Sequence, residues 1–269
     1  METRLFLPPR ESIDQIVQNG KRVMTQCRRR TFLLSLLAGM YIAFGAQLST
    51  MVTQDLAAYA GMGISRLVGG AVFSVGLMLV AVCGAELFTG NSLLVSSLLH
   101  GEISLGKMLE NWGLVLLGNL LGSLFMAWLL YESRLWQNGA VAKQALAIAT
   151  AKCQLDFWVA FVRGVLCNWL VCLAVCMAVA ARDITGKLLA CLAPIMTFVA
   201  SGFEHSIANM YFIPAGLLLK AELGVQEQAL SWTTFMVGNI LPVTLGNIVG
   251  GVLFVACAYG YVHLPQTQR

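Results

Sequence analysis

Two glutamates and a histidine lie in the middle of long apolar stretches, where ionisable side chains are rare. Glu86 lies within residues 67–99, and Glu204 and His205 lie within residues 188–219. Carboxyl and imidazole groups can exchange protons under mild conditions and can bind a polar ligand. Because an ionisable group at membrane depth is costly, it usually faces a partner or a water-filled path. These residues therefore indicate a membrane pore.

The composition of the chain indicates an integral membrane protein. Of its 269 residues 58% are apolar and only 11% are charged, which is too little polar surface to cover a soluble globule of this size. Four apolar stretches reach the roughly 20 residues that a spanning helix needs. They are residues 31–54, 111–131, 157–181 and 232–262. With the two longer runs, the sequence predicts an all-α protein with six transmembrane helices.

The two runs that contain the ionisable residues are too long for one straight crossing. They have 33 and 32 residues, whereas a hydrocarbon core of about 30 Å takes about 20 residues at about 1.5 Å each. We therefore expect the second and fifth helices to break at their polar, glycine-containing centres, residues 83–91 and 201–209. Irregular backbone at that depth is tolerated where protein covers it or where it lines a cavity.

An internal repeat relates the two halves of the chain. Glu86 and Glu204 are each followed five residues later by an asparagine, and the motif Leu-Gly-Asn-x-x-Gly occurs at residues 117–122 and 245–250. Because each unit has three spans, the second unit must enter the membrane from the opposite side. The sequence predicts two inverted three-helix repeats, and the glycines and asparagines of the motif are interpreted as packing residues.

The pattern divides the chain into three parts. Residues 1–30 are expected to form a cytoplasmic amphipathic helix that starts with a capping box at Ser12 and Gln15. Residues 31–263 form the pore domain, and residues 264–269 a cytoplasmic tail. The basic cluster at residues 21–30 places both termini in the cytoplasm by the positive-inside rule.

Each predicted break creates a helix start that favours an anion. Free backbone N–H groups and the positive end of the helix dipole lie there. Thr89 adds a hydroxyl beside the first break, and His205 an imidazole beside the second. If the two breaks meet at the midplane, they form one small site for an anion or a neutral acid.

Three segments in order, CGAELFTGN, CNWLVCLAV and FVASGFEHSIANMYFIP, resemble the formate/nitrite transporter family, and the similarity extends over all six spans. The resemblance implies an aquaporin-like homopentamer in the inner membrane with one pore in each protomer. It implies a central pair of Thr89 and His205, hydrogen-bonded support from Asn168 and Glu204, and a vestibule lysine, Lys152. The implied constrictions are Leu77, Leu87, Phe88 and Val171 on one side of the histidine and Phe73 and Phe198 on the other.

Arg163 is a charge inside the fourth span, and we expect it to extend towards the vestibule and add to the positive field around Lys152. The predicted function is passage of a small monovalent anion that takes up a proton at or before His205 and crosses as the acid, with Glu204 orienting the imidazole. Formate is preferred, and nitrite and hydrosulfide are alternatives. No cofactor, metal, catalytic residue or nucleic acid is expected.

Two alternative functions are an intramembrane hydrolase and a channel for water or glycerol. An intramembrane hydrolase would use Ser206, His205 and Glu204, but adjacent residues on one backbone do not easily form a catalytic relay. A water or glycerol channel is weakened by the absence of paired Asn-Pro-Ala motifs.

Overall fold

A computed structural model describes residues 5–137 and 139–263, and these are almost entirely helical. The α-helices are α1 (Pro9–Met24), α2 (Arg28–Thr53), α3 (Leu56–Phe73), α4 (Val75–Cys83), α5 (Leu94–Leu99), α6 (Leu105–Glu132), α7 (Gly139–Cys153), α8 (Phe157–Ala180), α9 (Ile184–Ser201), α10 (Ser206–Leu223), α11 (Leu241–Gly251) and α12 (Ala258–His263). In the described part of the chain, the one β-type pairing is an isolated bridge between Phe6 and Ala181.

Six helical segments are long and apolar enough to cross a membrane. They are Arg28–Thr53, Leu56–Cys83, Leu105–Glu132, Phe157–Ala180, Ile184–Ser201 and Thr234–His263. The predicted class, an all-α multi-pass membrane protein with six spans, is confirmed. The predicted tail at residues 264–269 lies outside the described residues.

The two breaks occur where the polar centres of the long runs predict them. Helix α4 ends at Cys83, and Gly84 follows with a φ of 80°. Helix α9 ends at Ser201, and Gly202 follows with a φ of 75°. Both glycines are in the left-handed region, which residues with a Cβ rarely adopt. The chain then runs without regular helix to the 3₁₀ turn Gly90–Leu93 and to α10, respectively.

Besides a kink at Gly61 inside α3, where φ is 80°, the structure contains two irregularities that the sequence pattern did not predict. Ser74 separates α3 from α4, and its hydroxyl donates to the carbonyl of Ala71 at 2.6 Å. In the sixth span, π-helical segments Thr234–Ile240 and Val252–Cys257 flank α11. The apolar composition continues through these places, so it gives no signal of a local change in helix type.

The repeated glycine motif brings helices into close contact in both halves. A Cβ on Gly122 of α6 would lie 2.1 Å from the carbonyl oxygen of Leu36 in α2. A Cβ on Gly250 of α11 would lie 2.2 Å from the carbonyl oxygen of Val165 in α8. Backbone therefore approaches backbone at both positions, and only glycine leaves room for it. The inverted orientation of the two repeats stays a prediction.

Helix α1 packs its apolar face against the spans. Ile13, Ile16 and Val17 are buried, and the hydroxyl of Ser97 in α5 donates to the carbonyl of Val17 at 3.0 Å. These contacts agree with the amphipathic pattern of the segment. They hold α1 beside the mouth of a cavity, which is described below.

The boundaries at the N-terminal end differ from the predicted ones. Helix α1 begins at Pro9, so Ser12 lies inside its first turn and donates to the carbonyls of Leu7 and Pro8. The predicted capping box at Ser12 is therefore wrong, because proline at the first helical position starts the helix earlier. The first span begins at Arg28, three residues before the predicted residue 31.

Candidate functional site

Two asparagines hold the two breaks in the same way. Asn119 donates to the carbonyls of Ser35 at 2.7 Å and Glu86 at 3.0 Å, and its Oδ1 accepts from the N–H of Phe88 at 2.9 Å. Each break leaves backbone groups without helical partners, and a buried unpaired group is costly. The side chain of Asn119 satisfies two of them, the carbonyl of Glu86 and the N–H of Phe88, and its bond to Ser35 attaches the break to α2.

The second half repeats this arrangement with Asn247. It donates to the carbonyls of Gly164 at 2.8 Å and Glu204 at 3.0 Å, and it accepts from the N–H of Ser206 at 3.0 Å. Both asparagines belong to the repeated Leu-Gly-Asn-x-x-Gly motif and are fully buried. Their structural role fixes the backbone on which the ionisable residues sit.

His205 and Thr89 join the two breaks at the centre of the protein. The imidazole Nε2 lies 3.0 Å from the Thr89 hydroxyl, and Nδ1 accepts from the backbone N–H of Ala208 at 3.1 Å. A nitrogen that accepts carries no proton, so the neutral imidazole has its proton on Nε2 and donates it to Thr89. His205 thus caps α10 while it orients the threonine hydroxyl, and the proton of that hydroxyl is left for another acceptor.

Asn168 on α8 supports the threonine from its other side. Its amide nitrogen donates to the carbonyl of Thr89 at 3.1 Å and to the carbonyl of Asn247 at 2.7 Å. The amide therefore links the first break to the asparagine that holds the second. Thr89 and Asn168 are both fully buried.

Glu204 forms a buried ion pair with Lys152 of α7. Both carboxylate oxygens lie 3.0 Å from the ammonium, and Oε2 also accepts from Asn209 at 2.7 Å. The ammonium lies 5.5 Å from the centre of the Phe212 ring, within the range of a cation–π contact. Among the described contacts, the carboxylate meets Lys152 and Asn209 and not the imidazole.

Aromatic rings surround the histidine on the side of Lys152. The Phe198 ring stacks on the imidazole with centroids 5.9 Å apart, and it meets Phe73 edge to face at 5.8 Å. Phe73 in turn stacks on Phe212 at 6.3 Å. The rings form an apolar collar between the imidazole and the solvent on this side.

The same rings line a cavity of about 260 Å³, the Lys152 cavity. It is lined by residues that include Phe73, Phe198, Lys152, Arg66, Glu204 and His205. The charged side chains among its described lining residues are two cations and one carboxylate, and that carboxylate is paired. The cavity is therefore positive and suited to attract an anion.

A larger cavity of about 910 Å³, the α1 cavity, lies on the side of the N-terminal helix. The residues that line this cavity include Leu77, Glu86 and Leu87. Three cations from three helices face it, Arg22 on α1, Arg30 on α2 and Lys187 on α9. The described lining residues therefore carry more positive than negative charge. Leu77 and Leu87 line this cavity, whereas His205 and Thr89 do not.

The chain matches the family model described as "Formate/nitrite transporter" over residues 10–261. It belongs to the formate/nitrite transporter family. The match covers the spans, both breaks and all the site residues described above.

Two curated members of the formate/nitrite transporter family illustrate the similarity. The chain is 45% identical over 254 residues to the "Probable formate transporter" of Methanothermobacter thermautotrophicus. The aligned region covers 88% of this chain and 90% of that protein. It is 37% identical over 253 residues to the "Formate channel FocA" of Escherichia coli (strain K12), covering 89% of this chain and 88% of that one.

Two solved structures share the fold. A "Pentameric formate channel with formate bound" superposes with a TM-score of 0.78 at 37% identity, covering 88% of this chain and 98% of that one. An "FNT family ion channel" superposes with a TM-score of 0.83 at 33% identity, covering 94% and 98%. The named relatives are channels or transporters, in agreement with a function outside enzyme catalysis.

The structure places seven of the site residues that the family resemblance implies in the lining of the two cavities. Phe73, Phe198, His205, Glu204 and Lys152 line the Lys152 cavity, and Leu77 and Leu87 line the α1 cavity. Thr89, Asn168, Phe88 and Val171 are buried and line neither cavity. Arg163 is exposed and is absent from the lining of the Lys152 cavity, whereas its carbonyl accepts from the N–H of Glu204 at 3.2 Å.

The geometry of Ser206 does not suit a hydrolase. Its N–H is bonded to Asn247, and both nitrogens of His205 face other groups, Thr89 and the N–H of Ala208. A nucleophile and its base must share a hydrogen bond. In the described chain the adjacent Ser206 and His205 make no such bond.

Proposed function

We propose that the chain is a transmembrane channel for a small monovalent anion of a weak acid, with formate as the preferred substrate. The observation that carries the proposal is the His205–Thr89 hydrogen bond, which lies between two cavities whose described charges are mainly positive. Relatives named as formate channels favour formate over nitrite and hydrosulfide. The pentameric neighbour supports a homopentamer, and the basic N-terminal segment supports cytoplasmic termini in the inner membrane.

The two cavities concentrate the anion, and the collars between them reject it while it is charged. Cations in a vestibule raise the local concentration of anions. Phe73 and Phe198 on one side, and Leu77 and Leu87 on the other, offer no polar group to replace water. Removing water from a bare anion costs many kcal/mol, so the neutral conjugate acid crosses far more easily. We assign Phe88 and Val171, which are buried between the cavities, to the leucine side of this barrier.

The histidine couples proton uptake to the structure of the break. In the neutral form Nε2–H orients Thr89, and the threonine hydroxyl can donate to an oxygen of the anion. A second proton on Nδ1 requires the bond from Ala208 to open. Protonation therefore changes both the charge at the centre and the cap of α10, which makes passage dependent on pH. Lys152 pairs with Glu204 beside this centre, and Asn168 keeps Thr89 in place.

The direct test is flux through the purified protein in liposomes. We expect uptake of radiolabelled formate well above that of protein-free liposomes, with nitrite and hydrosulfide as competitors. Protein-free liposomes are the necessary control, because formic acid crosses lipid by itself. Uptake equal to that control would contradict the proposal, and stronger uptake of nitrite or hydrosulfide would change the preferred substrate.

His205→Asn is expected to abolish the pH dependence of uptake from the Lys152 side while it preserves the fold. Asparagine is a favoured N-cap, so its Oδ1 can still accept from the N–H of Ala208, but it does not titrate. Formate uptake from that side should change little between about pH 5 and about pH 8. His100→Asn is the control, because His100 bonds within α5 to the carbonyl of Ser96. A wild-type pH profile in His205→Asn would remove the histidine from this role.

Phe198→Ala is expected to make the channel less selective. The change removes the ring that stacks on His205 and meets Phe73, so water can enter the collar and lower the barrier to ions. Chloride current through the variant in planar bilayers should exceed that of the wild type. Phe125→Ala, on the exposed surface of α6, is the matched control. A folded Phe198→Ala variant without extra current would show that Phe198 is ordinary core, and Phe198→Leu serves if alanine prevents folding.

A further inference from the structure

The two halves of the protein carry the same acidic cluster, but only one of the two clusters has a cation. Glu204 accepts from Asn209 at 2.7 Å, and Asn209 also donates to Asn239 at 2.7 Å. In the first half, Glu86 accepts from Asn91 at 2.9 Å, and Asn91 also donates to Asn111 at 3.0 Å. The backbone N–H of each glutamate bonds to a neighbouring helix at 3.2 Å, Glu86 to Leu34 and Glu204 to Arg163.

The difference between the clusters is the ion pair. Both oxygens of Glu204 lie 3.0 Å from the Lys152 ammonium. In the described chain, no ion pair within 4.0 Å is found for Glu86, although the side chain is only 8% exposed. A nearby opposite charge favours the ionised form of a carboxyl group, and Glu86 has no such partner within 4.0 Å in the described chain. The first half therefore carries a buried carboxyl group that differs from its counterpart in lacking a close cation.

The surroundings of Glu86 supply no other group that exchanges a proton in weak acid. The cations that face the α1 cavity are Arg22 on α1, Arg30 on α2 and Lys187 on α9, the thiols are Cys27, Cys83 and Cys191, and α8 presents Val175, Ala178 and Val179. Helix α6 contributes the amides Asn111 and Asn119 around the break. Arginine, lysine and ordinary thiols keep their protons in weak acid. Glu86 is the one acidic residue among the described lining residues.

The position of Glu86 is next to the leucines that close this cavity. Leu87 follows it directly in the sequence, and Leu77, Glu86 and Leu87 all line the α1 cavity. An anion in this cavity therefore has the carboxyl group and the leucines in the same lining. An ionised Glu86 would repel that anion, whereas a protonated Glu86 can donate to it.

We propose that Glu86 is the residue that exchanges a proton with the transported anion on the α1 side of the channel. The inference rests on the proposed function, and it adds a second proton site at the opposite mouth from Lys152. The O–H bond of the Glu86 carboxyl breaks as an O–H bond forms on an oxygen of the anion. The acid enters the leucine collar, and the carboxylate regains a proton from the acid of the buffer in the cavity. In the other direction the same steps run in reverse.

Glu86→Gln tests the proposal, because glutamine can still accept from Asn91 but cannot give up a proton. Formate uptake is measured in vesicles of both orientations, with the exposed side identified by protease cleavage of a tag before α1. When the α1 side faces the bath, we expect uptake to fall about tenfold or more and to lose its response to bath pH. The response to pH on the Lys152 side should persist. Glu110→Gln is the control, since Glu110 pairs with Arg28 on the surface.

Two results of the uptake measurements would overturn the assignment. One is a wild-type pH response on the α1 side in Glu86→Gln. The other is a loss of uptake in Glu86→Asp as large as that in Glu86→Gln, because aspartate keeps a carboxyl group that titrates. Infrared difference spectra after a pH jump give an independent readout: the wild type should show a protonated-carboxyl band that Glu86→Gln lacks and Glu86→Asp shifts. An unchanged band in both variants would also overturn it. Failure of the proposed function itself would instead appear as absent formate uptake in the wild type.

Discussion

Asn247→Leu is expected to destabilise the protein by about 2–6 kcal/mol. The change leaves the carbonyl of Glu204 and the N–H of Ser206 without their partner inside the protein, and it removes the bond that attaches this break to Gly164 of α8. Each buried group that loses its hydrogen bond costs roughly 1–3 kcal/mol. The apparent melting temperature in detergent, followed by size-exclusion chromatography of heated samples, should fall by roughly 10 °C or more.

The first half of the chain supplies a matched second measurement. Asn119→Leu removes the bonds to Ser35, Glu86 and Phe88, so the loss should be similar in size. Thr197→Val is the control, because its exposed hydroxyl bonds only within α9, to Ala193, and it should change stability by less than about 0.5 kcal/mol. A melting temperature that is unchanged in both asparagine variants would show that water replaces the side chain at the breaks.

The fold was largely predictable because hydrocarbon thickness limits the length of a spanning helix. The two runs around Glu86 and Glu204 exceeded that limit and contained glycine at their polar centres, so the breaks near Gly84 and Gly202 followed. The break at Ser74 did not, because Ser74, Gly70 and Gly76 are uncharged and small residues in a span also serve close helix packing. The π-helical segments on both sides of α11 also keep the same apolar composition as an ordinary helix.

The site was less predictable because its bonds join residues that are far apart in the sequence. Thr89 and His205 are 116 residues apart, and Asn168 reaches Thr89 across 79. The family resemblance named these residues, but it gave no tautomer, and the partner predicted for Glu204 was the imidazole rather than Lys152 and Asn209. The bond from Ala208 to Nδ1 and the ion pair with Lys152 depend on the placement of α10 and α7, which only the three-dimensional structure supplies.

The asparagines of the Leu-Gly-Asn motif were interpreted as packing residues, and the glycines do pack closely. The asparagines have a more specific role, since each one satisfies two backbone groups at a break and bonds to a carbonyl of a neighbouring helix. Internal repetition was the available signal: a polar residue that recurs with the glycines in both halves should satisfy a need that both halves share. The common need is the irregular backbone at Glu86 and Glu204.

Lys152→Met is expected to weaken both stability and anion uptake. The side chain keeps its approximate length, but Glu204, which is 4% exposed, loses the ammonium that neutralises it. Breaking a buried pair by removing one partner costs about 3–5 kcal/mol, because it leaves a charge without compensation. The Lys152 cavity also loses one of its two described cations. Melting in detergent measures the first effect, and formate uptake at low and high salt measures the second.

The double variant Lys152→Met/Glu204→Gln separates the ion pair from the other contacts of the lysine. It has no unpaired charge, so it should recover most of the stability that Lys152→Met loses. Uptake should stay low in the double variant, because the cation that attracts the anion is still missing, and the deficit should shrink in high salt, which screens such attraction. Lys143→Met is the control on α7, because Lys143 is exposed. Equal stability of the single and double variants would show that Glu204 takes up a proton when Lys152 is absent, and the ion pair would then be dispensable for the fold.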